Sequence, residues 1–255
     1  MAYDPRKYFD DIAQQMKSRD SGSVLAGKDN PFHVYKRARI LEVIRTIDFR
    51  GRKVLEIGPG AGINLMLFHS LGAASVSGCD VSPQMMEVAK ANLARNGLKD
   101  VEIKLTDGSH LPFPDRTFDF CLTLTVLQHN SDEAALLTLM GEIARCAATD
   151  VFLIEDTARV ETGWPSYTMR PVEWYAERMK KFGFDMASAR AANTAWSERA
   201  CENISKILRD PSRHEGGSAR ASTRLVMSIV MLVTKLMDRF VPASSTITCM
   251  NFRRA

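Results

Sequence analysis

The sequence predicts a doubly wound α/β fold, a parallel sheet with helices on both faces. Three observations carry the prediction. Short β-branched and aliphatic runs alternate with helical-period stretches from residue 53 to 155. A glycine-rich turn, Gly58-Pro59-Gly60-Ala61-Gly62, joins the first such run to the helix after it. An acid, Asp80, stands at the end of the second run.

Each element has a local cause. Residues 4–17 read as a helix, capped by Asp4 with Pro5 in the first turn. A loop with Gly22, Gly27 and Asp29-Asn30-Pro31 follows, then a second helix from His33 to Ile47. Strand 53–57 leads into helix 63–71, which Gly72 stops. Strand 74–79 precedes a helix over 83–95, with Ser82-Pro83 as its start and Asn96-Gly97 as its end. Strand 101–105, a proline-broken connection Leu111–Arg116 and strand 118–124 come next. A helix capped by Ser131 spans 132–147, and strand 151–155 follows. Pro171 opens a helix from Val172 to Phe182 that Gly183 ends. Phe184 to Arg190 and Thr246 to Phe252 read as the last strands.

The glycine turn bears on the ligand. Its spacing is G-x-G-x-G, with Glu56 two residues ahead of the first glycine. The dinucleotide fingerprint needs G-x-G-x-x-G, and its third glycine position is Ile63. The phosphate loop is absent as well, so the turn suits a ligand without a pyrophosphate to cradle. A carboxylate at the end of the second strand, where Asp80 stands, is placed to accept hydrogen bonds from ribose hydroxyls.

These motifs resemble the class I S-adenosylmethionine-dependent methyltransferases of the small-molecule type. The matching residues are Val54 to Gly62, Gly78-Cys79-Asp80-Val81-Ser82-Pro83, Asp107-Gly108-Ser109, Leu111-Pro112-Phe113, Phe118-Asp119-Phe120 and Val126-Leu127-Gln128-His129. The resemblance covers roughly residues 35 to 155. It implies a seven-stranded, mostly parallel, Rossmann-like sheet with an antiparallel last strand beside the sixth. It also implies S-adenosyl-L-methionine as cofactor. Glu56, Gly58, Gly60 and Gly62 would border its amino acid part, and Asp80 its ribose. Val81 and Met85 would wall the adenine, and Asp107, with Gly108 and Ser109, would meet the adenine amino group. Thr123, Leu124 and Thr125 would lie near the sulfonium.

In the resembling family the last two strands form a hairpin; here about 55 residues, 191–245, separate them. The expected organisation is one domain over 1–255, with a helical cap at 1–50 and a helical insertion at 191–245. The two together are expected to build the substrate pocket, with a mobile loop at Asp210–Ser222.

His129 follows the fourth strand, near where the methyl should sit. Two readings stay open: a general base, suited by an ordinary pKa near 6.5, or a packing residue at the start of a turn. Glu155 and Asp156 are the other candidate bases, and His33 and Tyr35 are candidates for substrate contact. No His, Cys or acid spacing suggests a metal.

Composition narrows the partners. The net charge of +4 is spread out, without a run of five basic residues, so an obligate nucleic-acid partner is not indicated. The base-modifying motif N/D-P-P-Y is also absent after strand four, where Thr125-Val126-Leu127-Gln128 stands. Five scattered cysteines and a polar N-terminus point to a reducing, cytoplasmic address. Leu225 to Val233 is apolar but too short to span a bilayer. It reads as a core or cap helix, with peripheral membrane contact through 225–240 left open. The expected activity is methyl transfer to a small-molecule acceptor, a hydroxyl oxygen. The alternatives are N- or C-methylation of a lipid-like or glycan substrate, a nucleotide-dependent reductase, or a non-catalytic binding subunit.

Overall fold

The computed structural model of the chain describes residues 3–17, 30–130, 132–164, 166–211, 219–243 and 245–255. Among them, the glycine turn joins β1 (Lys53–Ile57) to α3 (Ile63–Ser70), and β2 (Ser75–Asp80) is followed by α4 (Pro83–Arg95). Next come β3 (Glu102–Leu105), β4 (Phe118–Leu124), α5 (Glu133–Cys146) and β5 (Ala147–Ala158). Two helices, α1 (Pro5–Lys17) and α2 (Pro31–Ile44), precede this core. After it come a hairpin of β6 (Thr162–Trp164) and β7 (Tyr167–Met169), then α6 (Val172–Lys181) and β8 (Phe184–Ala192). The chain ends with α7 (Ala195–Ile207), α8 (Ala221–Phe240) and β9 (Ser245–Arg254).

The main sheet has seven strands in the order β3-β2-β1-β4-β5-β9-β8. β1 pairs in parallel with both β2 and β4, so the strand order reverses there. β9 runs antiparallel between β5 and β8, as the resemblance implied. Side chains alternate between two cores. Leu55, Ile57, Cys121, Val151 and Leu153 join α5 and α6 on one face. Val54, Phe120, Leu122, Phe152 and Ile154 join α2, α3 and α4 on the other. Burial on both faces is why these strands read as continuous apolar runs. Each fully buried leucine or phenylalanine contributes about 1.5–3 kcal/mol.

Several boundaries move. The cap of α5 is Asp132, which accepts from the Ala134 and Ala135 N–H groups; the expected cap, Ser131, lies outside the described residues. β5 is longer than expected because β9 pairs with it out to Ala158. The β6–β7 hairpin leaves no mark in the sequence pattern, since three residues per strand are too few to show a period. α2 ends at Ile44, where Thr46 and Ile47 turn to i−3 bonding. Of the loops expected at 18–31 and 210–222, residues 18–29 and 212–218 lie outside the described set.

The described residues of 191–245 hold two α-helices, α7 and α8, between the end of β8 and the start of β9. Since β8 and β5 both run antiparallel to β9, that point is the C-terminal edge of the parallel strands. Phe32 of α2, Cys201 of α7, and Met227 and Met231 of α8 form the shared core. The N-cap residues of the two insertion helices, Thr194 and Arg220, make no side-chain capping bond. Asp238 of α8 accepts from the Trp196 N–H at 2.9 Å and the Ser197 hydroxyl at 2.5 Å, capping α7. Asp210 accepts from the Arg220 N–H at 3.1 Å and the Thr223 hydroxyl, capping α8.

Candidate active site

A cavity of about 360 Å³ opens at the C-terminal ends of β1, β2 and β4, where the strand order reverses. Its size falls in the range of small-molecule sites. Phe9, Ile12 and Met16 of α1 and Arg37 of α2 close one side. No described residue of 191–245 reaches its wall.

Gly58 begins the turn with φ +67°, and a Cβ there would meet Val126 Cγ2 at 2.7 Å. The missing side chain lets the segment after β4 close against the turn. Gly58 and Gly60 line the cavity, but Gly62 does not. Gly62 instead starts α3 with φ +78° and packs against Ala89 and Leu93 of α4.

Glu56 lines the cavity and is almost fully buried. Asn64 Nδ2 donates to its Oε1 at 2.5 Å, while Oε2 is buried without a partner. Burial pushes the carboxyl up to about 7; Asn64 and Arg37 pull it down and Asp80 adds to the rise. Arg37 stands close enough to act on Glu56, and burial lowers its own pKa. Arg37 and Asn64 belong to none of the motifs in the sequence. Nothing local marks either residue, because strand alternation and the two helix dockings bring them to Glu56.

Asp80, also buried, is pushed up to about 6 by burial, against the N–H groups of Ser82, Gly60 and Val81. The Ser82 N–H donates to it at 2.9 Å. Val81 and Met85 line the cavity beside it. The Ser82 hydroxyl accepts from the Met85 N–H and donates to Asp10, and Arg6 Nε donates to the Val81 carbonyl at 3.2 Å. These bonds dock α1 over the cavity.

Asp107, Gly108 and Ser109 form the rim. The exposed Asp107 carboxylate accepts from the N–H groups of Ser109 and His110 at 2.8 and 2.7 Å, and from His110 Nδ1 at 2.9 Å. These bonds hold it down at about 2. The carboxylate thus builds its own turn while bordering the cavity. Thr106 also lines the wall, which the motifs did not indicate.

Beyond β4, Leu124, Thr125 and Val126 line the cavity. Thr123 does not: alternation puts it on the opposite face, where its hydroxyl donates to Glu155 at 2.8 Å. Neither Glu155 nor Asp156 is on the wall. Glu155 lies fully buried beneath the segment, accepting from the Val126 N–H at 3.3 Å. Burial pushes it up to about 7, opposed by Thr123 and the N–H groups above. Asp156 accepts from the Tyr167 hydroxyl at 2.6 Å and pairs with Lys36 at 3.3 Å. Burial alone would raise Asp156, but Lys36, Tyr167 and Gln128 outweigh it and hold its carboxyl down. Lys36 also reaches Glu198 of α7 at 3.8 Å, tying the insertion to α2 and, through Asp156, to β5.

His129 lies on the wall in a 3-10 turn, Leu127–His129. Its Nδ1 donates to the Ser166 carbonyl at 3.1 Å. Phe9 and Tyr167 meet the ring edge-on at 5.6 and 5.7 Å. His33 and Tyr35 are not on the wall. His33 bonds Asn30, and Tyr35 lies under Lys235. Among the described residues no His, Cys or acid cluster has metal-binding geometry.

Residues 54–150 match the family model described as "Methyltransferase domain". The chain is 30% identical over 149 residues to Methyltransferase GfsG of Streptomyces halstedii, covering 53% of this chain and 54% of that one. The chain thus spans about half the length of the first curated relatives it matches. A longer match, 25% identical over 224 residues and 83% and 81% of the two chains, is to the Ubiquinone biosynthesis O-methyltransferase of Brucella anthropi. Among solved structures, the fold is shared with an O-methyltransferase of a Brevibacillus brevis multienzyme in complex with S-adenosyl-L-homocysteine. That match has a TM-score of 0.60 at 15% identity and covers 88% of this chain and 73% of that one. Residues 54–150 thus form a methyltransferase domain, on the sheet and glycine turn that the resemblance to the class I S-adenosylmethionine-dependent methyltransferases implied.

Proposed function

We propose that this protein transfers a methyl group from S-adenosyl-L-methionine to the hydroxyl oxygen of a small molecule. The observation that carries the reading is the unpartnered, buried Oε2 of Glu56, which shares one cavity with Arg37, Asp80 and His129. A buried acceptor without a partner is costly unless a ligand completes it. The α-ammonium of the cofactor suits Glu56 Oε2, and its α-carboxylate suits the Arg37 guanidinium. The Asp80 carboxylate suits two vicinal ribose hydroxyls. Val81 and Met85 offer apolar walls for the adenine, with the Asp107-Gly108-Ser109 rim beside it. Gly58, Gly60 and Leu124 border the path of the methionyl part, while Gly62 and Thr123 act from behind by holding the turn and the segment after β4.

The bound sulfonium supplies an electrophilic methyl. The protein's own task is then to align the acceptor and remove its proton. His129 is the proposed base: the Ser166 carbonyl holds the proton on Nδ1, and Nε2 takes the acceptor's hydroxyl proton. Oxygen as the acceptor atom is favoured by the O-methyltransferase relative that matches over most of both chains. The cap is proposed as α1 and α2 over the cavity, with 191–245 bracing α2 from behind. A cytoplasmic address fits five buried, free cysteines.

Calorimetric titration with S-adenosyl-L-methionine tests the reading. The wild type is expected to bind, and Asp80→Ala to bind at least about tenfold more weakly, about 1.4 kcal/mol. Equal binding by both proteins would remove Asp80 from the cofactor site.

A further inference from the structure

The helix α8 is built with its greasy side outward. Its buried side carries Thr223, Met227, Met231, Thr234 and Asp238. Its opposite side carries Leu225, Ile229, Leu232, Val233, Leu236 and Phe240, with Leu232 71% and Phe240 74% exposed. At 100° per residue these six fall in one stripe about 100° wide. Arg239 and Lys235 follow Leu232 along one border of that stripe. The only acid of α8, Asp238, is buried beneath it.

The outward setting is fixed from below. Asp238 caps α7 through the Trp196 and Ser197 N–H groups, and Thr234 Oγ1 lies 2.9 Å from Ser197 Oγ. Rolling α8 to bury its leucines would uncap α7 and expose the Met227–Met231 contact with Phe32 and Cys201. A contiguous apolar face of this kind is rare on a free protein surface and marks an interaction site.

We infer that α8 docks the protein flat onto a lipid bilayer surface rich in anionic headgroups. The charge pattern selects this occupant. An apolar stripe bordered by arginine and lysine, with no acid on the same side, places side chains among acyl chains and cations at the headgroups. Two copies meeting through α8 would set one basic row against the other, with Asp238 buried in both. Twenty residues give a helix about 30 Å long lying in the interface plane. No described helix is long and apolar enough to cross a membrane, so the contact is peripheral. The inference stands apart from methyl transfer, since α8 contributes no residue to the cavity wall.

The test is co-sedimentation of the full chain with vesicles of phosphatidylcholine alone or mixed with phosphatidylglycerol. Light scattering in parallel reads the oligomeric state. Two double variants are compared: L232E/L236E, which charges the stripe, and K235Q/R239Q, which neutralises its border. All four side chains are exposed, so folding is expected to survive. If the glutamate variant does not fold, the glutamine variant carries the test. The wild type is expected to bind mixed vesicles, and less so at high salt. Each variant is expected to lose about tenfold or more in partitioning. Three results would overturn the inference. One is no binding of the wild type to mixed vesicles, and another is binding that neither variant weakens. The third is a wild-type dimer that L232E/L236E dissociates, with no vesicle binding, which would assign the face to a second copy.

Discussion

Replacing Glu56 by glutamine should stabilise the free protein at alkaline pH and weaken cofactor binding at the same time. The side chain is buried, and its carboxyl is pushed from 4.5 up to about 7, chiefly by burial. A carboxyl with a raised folded pKa favours folding while it is protonated, and that contribution is lost as pH rises through the folded value. At pH 8 an ionised Glu56 therefore costs the fold about 3 kcal/mol, and at pH 5 less than about 1 kcal/mol. Glutamine has the same shape, can still accept from Asn64, and carries no charge at any pH. The gain for Glu56→Gln should accordingly be about 2–3 kcal/mol at pH 8 and small at pH 5. Urea denaturation of both proteins at the two pH values reads this as a shift in midpoint at constant slope. Titration with S-adenosyl-L-methionine should show at least about tenfold weaker binding by the variant, because an amide does not match an ammonium. A variant that is less stable at pH 8, or whose gain does not change with pH, would refute the assignment of a raised carboxyl at this site. The same logic predicts that wild-type affinity for the cofactor falls as pH drops from 8 to 5, when Glu56 and Asp80, raised to about 7 and about 6, take up protons.

Three further outcomes follow from the geometry. Gly58→Ala combines φ +67° with a Cβ 2.7 Å from Val126, and should lower stability by about 1–3 kcal/mol; a thermal melt within a degree of wild type would contradict it. His129→Ala should reduce turnover by about 10²-fold or more while leaving cofactor affinity within a few-fold, and single-turnover methyl transfer separates the two. Asp238→Ala removes the acceptor that caps α7 and should cost about 2 kcal/mol, with proteolysis concentrated in 191–245; uniform protease resistance would count against it.

The local physics of the chain already determined the frame. A β-branched run, a turn of alternating glycines and a helix made β1, the turn and α3 legible. Ser82-Pro83 placed the start of α4 to the residue, because a cap and an N1 proline act within one turn of chain. Asp80 at the end of β2 was readable for the same reason: its position depends only on where one strand stops. Tertiary structure decided what faces what. Thr123 and Leu124 are neighbours in sequence, yet only Leu124 reaches the cavity, because pleating sends them to opposite faces. Glu155 and Asp156 looked like candidate bases and lie instead beneath the segment after β4, one under its N–H groups and one paired with Lys36. Arg37 and Asn64 acquire their place beside Glu56 from the docking of two helices. The two insertion helices rest on carboxylates distant in sequence, Asp238 for α7 and Asp210 for α8. A periodic pattern states that α8 has an apolar side, but not which side is buried. That is set by Asp238, whose partners lie some forty residues earlier in the chain and come near it only when the fold closes.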